Sequence, residues 1–125
     1  AEEPDWPATA RLYGVLARVA PSAVVELNRA MAVAMADGPA AGLAILDGLL
    51  DEPSIRGYPY LYSARGDLLA RLGRFEEALP AFERAAELTR NARDRALLLA
   101  RARECRDAGR DEAVGFRDSG GGRGG

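Results

Sequence analysis

Side chains that could perform chemistry are few in this 125-residue sequence. It contains no histidine and a single cysteine, Cys105. It can therefore form neither a Cys-His nor a Ser-His catalytic pair, and the usual zinc ligands are missing. The pattern around Cys105 indicates a small apolar residue on a buried helix face. We expect no bound metal and no cofactor, and the sequence predicts that the protein is not an enzyme.

Two other motifs have residue types that could form a chemical site, and both favour a structural interpretation. The stretch Asp37–Gly42 (DGPAAG) faintly resembles a phosphate-binding loop, but the Lys-Ser/Thr ending and a preceding strand are missing. It is expected to be a turn between helices. Glu76 and Glu77 fall in the first turn of a predicted helix, where the helix dipole favours negative charge, so a catalytic carboxylate pair is not expected.

Composition limits the classes of partner. All 17 basic residues are arginines, 19 residues are acidic and the net charge is −2, so electrostatics provide no drive towards nucleic acid. No apolar run reaches the roughly 20 residues of a membrane span. The lone cysteine fits the cytoplasm. Because the sequence opens with AEEPDW and no initiator Met, we expect it to be a piece of a longer protein.

The stretch that organises the chain runs from Pro59 to Asn91. It matches the helix-turn-helix pattern of a tetratricopeptide (TPR) repeat, with Gly73 ending the first helix. Arg65 departs from the expected Leu, and Arg90 replaces the usual closing Pro. Small residues let the two helices approach closely, and large ones fill the space beside the contact. The six matching positions are Tyr62, Gly66, Leu69, Ala78, Phe82 and Ala85.

A second, degenerate repeat precedes this one by 36 residues. In the shifted frame Ala30 takes the place of Gly66, Gly42 that of Ala78, Leu46 that of Phe82 and Leu49 that of Ala85. The segment 51–58, with Pro53 and Gly57, is the connector between the repeats. Leu12, Val15, Leu16 and Val19 form the apolar stripe of a helix before the first repeat.

These segments predict an all-α protein, a TPR-like right-handed solenoid of antiparallel helix pairs with about six helices. We expect a helical domain over residues 1–109, followed by a flexible Gly/Arg-rich tail over 110–125. The domain is divided into a first helix at about 8–19, the degenerate repeat at 23–50, the clear repeat at 59–90 and a capping helix at 92–107. The stripe of the capping helix is Leu98, Ala102 and Cys105.

Function is expected on the concave face of the stacked pairs, in a groove lined by Asn28, Met31, Tyr60 and Asp67. The Asn28 amide can pair with the backbone of an extended peptide, although an exposed Asn without a partner explains it equally well. Near the start of a helix, Tyr58 and Tyr60 are candidate exposed anchors for a partner.

Arg29 and Arg65 occupy the same place in the two repeats. A half-buried guanidinium needs a carboxylate, which Asp37, Asp67 or an acidic partner residue could supply. An internal salt bridge is the favoured interpretation, and both arginines remain candidate partner-binding residues.

A more specific resemblance covers Asp5 to Arg106. This stretch resembles the C-terminal TPR-like extension found in a group of bacterial RNA polymerase sigma factors of the extracytoplasmic-function (ECF) type. Neither promoter-melting helices nor a helix-turn-helix promoter reader is seen in this sequence. The resemblance rests on Leu12-Tyr13, Pro21-Ser22, Asn28-Arg29-Ala30, Asp37-Gly38-Pro39, Leu72-Gly73-Arg74 and Leu88-Thr89-Arg90-Asn91.

The resemblance implies a protein-interaction and regulatory domain that contributes to transcription initiation in the bacterial cytoplasm. Its expected partner is a protein: the sigma regions of its own chain, RNA polymerase or a regulator. No direct contact with nucleic acid or membrane is expected from this segment. The alternative is a general TPR scaffold unrelated to transcription.

Overall fold

The described part of the chain is built from helices alone. The computed structural model describes the backbone of residues 4–19 and 22–121, and their side chains except those of residues 17, 19 and 112–121. No strand occurs within these residues, and the expected all-α helical repeat fold is confirmed. The helices are α1 (Trp6–Val19), α2 (Ala23–Asp37), α3 (Pro39–Asp47), α4 (Pro59–Arg71), α5 (Phe75–Leu88) and α6 (Ala92–Gly121).

Two glycines make the sharp reversals inside the helix pairs. Gly38 is the only residue between α2 and α3, and its φ of 102° lies where side chains are strained, so the one-residue link requires glycine. Its N–H bonds to the Ala34 carbonyl at 2.9 Å. Gly73 has a φ of 75°, and the following N–H, that of Arg74, bonds back to the Leu69 carbonyl at 2.9 Å. This is a glycine-dependent helix ending, as the sequence predicts at Gly73.

Side-chain caps and prolines fix where the helices begin. The Ser22 Oγ accepts hydrogen bonds from the Val24 and Val25 N–H groups, at 3.2 and 3.4 Å. The Asn91 Oδ1 accepts from the Asp94 N–H at 3.0 Å. Pro39 and Pro59 stand in the first turns of α3 and α4, where a missing N–H costs nothing. Each turn between helices is thereby specified by local chemistry.

Helix pairs cross at their smallest residues. Gly42 of α3 packs against the backbone of α2: a Cβ placed there meets the Ala30 carbonyl oxygen at 2.5 Å and the Ala34 Cβ at 2.6 Å. At the equivalent crossing of the next pair, the Phe82 ring lies 3.0 Å from a Cβ placed on Gly66. Both crossings belong to one continuous core that runs from α2 to α6.

Substituting Gly42 with Ala tests the first crossing. Its methyl group has no room, because the atoms in its way belong to the backbone and first side-chain carbon of α2. We expect urea unfolding to show a loss of about 1–3 kcal/mol, the usual cost of overpacking a tight contact. Gly14→Ala in α1 is the matched control, since no atom lies within 4 Å of that added methyl group. The Gly14→Ala variant should gain about 0.5–1 kcal/mol in free energy of unfolding through helix propensity. If the two substitutions changed the free energy of unfolding equally, the crossing at Gly42 would not be tight.

The structure differs from the expected helix ends in three places. The α1 helix begins at Trp6, and α3 ends at Asp47, before the expected end of the repeat at residue 50. The last helix runs on to Gly121, well past its expected end at 107, so residues 110–121 of the expected flexible tail are helical. Once a helix is formed, adding a residue costs little, and Gly109 alone does not stop it. Residues 122–125 lie outside the described part, and the domain division stays a prediction.

A fourth difference concerns packing. The sequence marks Leu12, Val15, Leu16 and Val19 as the apolar stripe of α1, yet the first three side chains are exposed, and the side chain of Val19 lies outside the described part. The α1 helix contacts α2 through other residues, and its half-buried positions include Trp6 and Tyr13. The pattern therefore locates the helix correctly, but its stripe is not covered by any described residue of the chain.

Candidate partner-binding groove

A cleft lies between the first helices of successive pairs. It has a volume of about 310 Å³ and involves α2, α4, α5 and α6. Met31 of α2 and Tyr60 and Asp67 of α4 line it, opposite Leu97 and Arg101 of α6. Residues of α2, α4 and α6 line it together, and TPR-like solenoids present their binding surfaces on the concave face of the stack.

A second depression of about 480 Å³ continues this cleft past the start of α4. The two share Tyr60, Ser63, Leu97 and Leu98, and the second adds Tyr58 and the link before α6. We call the combined surface the groove. Apolar and aromatic side chains dominate its walls, and several remain open to solvent, with Leu97 60% and Tyr60 38% exposed. Exposed aromatic and leucine side chains in a concavity are typical of a partner-binding surface.

The floor of the groove contains a compensated charge cluster. Asp67 Oδ2 lies 3.2 Å from Arg71 Nη2, and Asp67 Oδ1 accepts a hydrogen bond from Arg101 Nη2 at 3.1 Å. The Arg101 guanidinium carbon is 4.8 Å from the centre of the Phe82 ring, a cation–π contact. Asp67 is thus held by two arginines, and a partner carboxylate could compete with it for Arg101.

Tyr60 lies beside a second aromatic ring at the edge of the groove. Its ring meets that of Tyr58 edge-on, with centroids 6.2 Å apart and planes at 78°. Burial, and secondarily the neighbouring Tyr58, Asp67 and Tyr13, raise the pKa of the Tyr60 phenol above its ordinary value. The hydroxyl therefore stays protonated at neutral pH and can donate a hydrogen bond to a partner.

Of the six site residues predicted from sequence, the structure brings Met31, Tyr60 and Asp67 together in the groove. Asn28 lies one helical turn before Met31, is half-buried, and is not among the described residues lining the groove. Its proposed contact with a peptide backbone stays a prediction. The remaining two residues, Arg29 and Arg65, lie elsewhere.

Arg29 and Arg65 form internal ion pairs, but not with the carboxylates that the sequence suggested. Arg29 Nη2 pairs with Glu26 Oε2 at 3.0 Å, one turn earlier on α2. Arg65 Nε donates to Asp47 Oδ1 at 2.8 Å, joining α4 to the end of α3. The expected partners, Asp37 and Asp67, were wrong because a same-face neighbour and the neighbouring helix end lie closer. Both arginines nevertheless form an internal salt bridge, which is the interpretation that the sequence favoured.

The α6 wall of the groove was missed from sequence. Its Leu97, Leu98 and Arg101 line the cleft, although α6 was expected only to cap the stack. Leu98, Ala102 and Cys105 do pack on the core, as their spacing indicates. The sequence does contain an indication of this wall. Leu97, Leu98 and Leu99 are consecutive, and a single apolar stripe on a helix does not need three leucines in a row. The surplus Leu97 faces the groove.

Chemistry at the remaining reactive side chain is unfavourable. Cys105 is buried on α6, and burial raises the pKa of its thiol, so little reactive thiolate forms at neutral pH. No group of three or more Cys, Asp or Glu side chains suited to a metal ion occurs in the part of the chain that is described.

Comparison with known proteins identifies the repeat. Residues 59–92 match the family model of the tetratricopeptide repeat. These residues form a TPR repeat. It spans α4, α5 and the start of α6 and supplies one wall of the groove. The TPR is a non-catalytic protein-interaction repeat, and its presence suggests a protein-interaction scaffold.

The chain is also similar to an uncharacterized protein of Rhizobium meliloti (strain 1021), with 45% identity over 97 residues. The matched region covers 78% of this chain and 22% of that relative, so the chain spans about a fifth of the relative's length. No solved structure matches the chain. None of the described helices is long and apolar enough to cross a membrane.

Proposed function

We propose that this chain is the C-terminal interaction and regulatory domain of a bacterial RNA polymerase sigma factor of the ECF type. In this proposal it acts in the cytoplasm during transcription initiation. Its groove binds a protein segment, from the sigma regions of its own chain, from RNA polymerase or from a regulator. The observation that supports binding is the convergence of Met31, Tyr60 and Asp67 with Leu97 in one open cleft.

The groove is suited to a helix or an extended peptide with apolar anchors. Tyr58, Tyr60 and Leu97 offer exposed apolar area, and aromatic side chains of this kind contribute most of the binding energy at interfaces. Arg101, shared between Asp67 and the Phe82 ring, offers a donor to a partner carboxylate at the floor. Such a partner combines large apolar side chains with one acidic residue.

The sigma-factor part of the proposal is supported by the sequence resemblance between Asp5 and Arg106. In the Rhizobium relative, the matching region is likewise a small part of a longer protein, at 22% of its length. Several of the resembling phrases fall at caps and turns, such as Ser22, Gly38 and Gly73. They therefore specify the helix arrangement.

A general TPR scaffold without a role in transcription is the second candidate. It is favoured by the groove itself, because nothing in its aromatic and apolar walls depends on a transcription partner. Sigma regions encoded before this segment in the parent protein would favour the first candidate, and unrelated domains there would favour the scaffold.

The deciding experiment uses the full-length parent protein with core RNA polymerase in promoter-dependent run-off transcription. We expect the parent to support transcription, and Tyr60→Ala combined with Leu97→Ala to change transcript yield by at least ~5-fold, because truncating an aromatic anchor costs about 1–2 kcal/mol of binding. Calorimetric titration of this domain with the separate upstream part should show micromolar binding that the same variant weakens about 10-fold.

Leu72→Ala is the matched control, since this leucine is 37% exposed, almost as much as Tyr60, but lies outside the groove. It should leave transcription and binding unchanged. A parent protein without promoter-dependent transcription would exclude the sigma assignment and leave the scaffold. Transcription that responds equally to both variants would exclude the groove as the functional surface.

A further inference from the structure

The outer side of α1 is apolar and exposed. Leu12 is 58%, Val15 44% and Leu16 39% exposed, and we call these three residues the α1 stripe. None of the α1 side chains that the structure describes is fully buried. By contrast, α5 buries Ala78, Ala81, Phe82, Ala85 and Ala86, although it has the same length of 14 residues.

The α1 helix occupies the position of a second helix in a TPR-like pair. A shift of 69 residues superposes Trp6–Val19 on Phe75–Leu88 and also superposes Ser22, which caps α2, on Asn91, which caps α6. In this frame Trp6 matches Phe75 and Tyr13 matches Phe82. Thus α1 stands before α2 as α5 stands before α6.

The α5 helix is covered on two sides, by α4 before it and α6 after it. On the α4 side, the Phe82 ring rests on Gly66, and the Arg84 guanidinium lies 5.7 Å from the Tyr62 ring centre. The counterparts of Phe82 and Arg84 on α1 are Tyr13 and Val15. The stripe therefore faces the place that a preceding helix occupies in the pair formed by α4 and α5.

Exposure at matched positions shows that the described residues leave α1 less covered than α5. Ala81 and Ala85 of α5 are 6% and 0% exposed, whereas their counterparts, Leu12 and Leu16, are 58% and 39% exposed. Larger apolar residues stand where the cover is missing. An exposed row of leucine and valine at the end of a helical stack is unfavourable in water, because the ends of solenoids need polar outer faces.

We propose that the α1 stripe binds a helix supplied by the polypeptide that precedes Asp5 in the parent protein, completing a further helix pair with α1. This inference rests on the proposed function in treating the chain as part of a longer protein. Asp5 Oδ1 accepts a hydrogen bond from the Ala8 N–H at 3.0 Å and so caps α1. A short link, like the three residues Leu72–Arg74 between α4 and α5, then suffices to reach the preceding helix.

The chemistry of the stripe defines the occupant. It is an amphipathic helix with a small residue opposite Tyr13, as Gly66 lies opposite Phe82. Arg11 and Arg18 are exposed and border the stripe on the Val15 side, so the occupant places acidic residues along that edge. The α1 helix of a second copy of this chain is a less suitable occupant. In a two-fold antiparallel pair of α1 helices, the arginine edges of the two copies lie side by side and repel each other.

Hydrogen exchange of the full-length parent protein tests this docking. In the wild type we expect α1 amides to be protected, and Leu12→Glu combined with Leu16→Glu to speed their exchange at least ~10-fold by releasing the covering helix. Glu and Leu have similar helix propensities, so the change does not disfavour α1 by itself. Leu72→Glu, at a leucine with 37% exposure outside the groove, is the control and should leave α1 exchange unchanged.

Unchanged α1 exchange in the double variant would overturn the proposal. Protection that disappears on dilution, with a dimer in sedimentation, would assign the stripe to a second copy instead. Each result is separate from the transcription assay. If the parent is inactive in transcription but α1 protection depends on the stripe, the covering helix is supported and the sigma role is excluded. If the parent is active but α1 is not protected, the sigma role is supported and the covering helix is excluded.

Discussion

Replacing Phe82 with Ala should lower the free energy of unfolding by about 3–5 kcal/mol, the cost of removing a buried aromatic ring and leaving a cavity. The ring is 1% exposed and lies against Gly66 of the preceding helix. It also supports the Arg101 guanidinium, 4.8 Å above it. The substitution therefore weakens both the crossing of α4 with α5 and the floor of the groove. Urea unfolding followed by far-UV circular dichroism measures the loss.

Leu97→Ala provides the comparison, because it removes a large apolar side chain from a site that is 60% exposed. It should cost less than about 1 kcal/mol. A loss at Phe82 below this value would mean that the ring does not hold the two helices together. A further check is Gly66→Ala, whose added methyl group would lie 3.0 Å from the same ring and force it to move.

The repeat was predictable because residue size specifies a helix crossing. Gly66, Ala78 and Phe82 were assigned from sequence to the close contact and its filling, and all three are buried in the structure. The degenerate repeat follows the same rule, since Gly42 and Leu46 are buried at the positions that the 36-residue shift indicates. Size alternation at fixed spacing is visible in one sequence without any knowledge of tertiary structure.

The groove was predictable only in part, because it depends on how successive pairs are arranged. Tyr60 and Asp67 belong to one helix, and Met31 belongs to the equivalent face of α2, so the repeat frame places them together. Leu97 and Arg101 come from α6, whose angle to α4 the sequence does not specify. The ionic partners of Arg29 and Arg65 also escaped prediction, since several carboxylates were within plausible reach and the packing of the helices decides which one lies nearest.

The α1 stripe shows a different limit. Leu12, Val15 and Leu16 predict a helix with one apolar side, and this helix is present. Periodicity reports that a side prefers contact with apolar atoms, but it does not say which polypeptide provides them. The structure adds that the described residues of this chain do not.

The connector between the pairs contains an anchor that the sequence analysis did not identify. Ile55 lies between α3 and α4, is 1% exposed and belongs to the core. Its N–H bonds to the Glu52 carbonyl at 3.1 Å, and its carbonyl accepts from the Tyr58 N–H at 2.9 Å. Two turns therefore meet at a residue whose side chain is buried, and Pro59 starts α4 directly after them.

Ile55→Ala should accordingly cost about 2–4 kcal/mol, a loss expected in a segment without regular structure only if its side chain is part of the core. Ile55→Val removes one methyl group and should cost about 0.5–1.5 kcal/mol, which gives a graded response in urea unfolding. Ser54→Ala, at the exposed neighbouring position, is the control and should remain within about 0.5 kcal/mol of the wild type. If Ile55→Ala behaved like Ser54→Ala, the connector would be a passive link. A graded loss instead means that the connector contributes a buried side chain to the core shared by the two pairs.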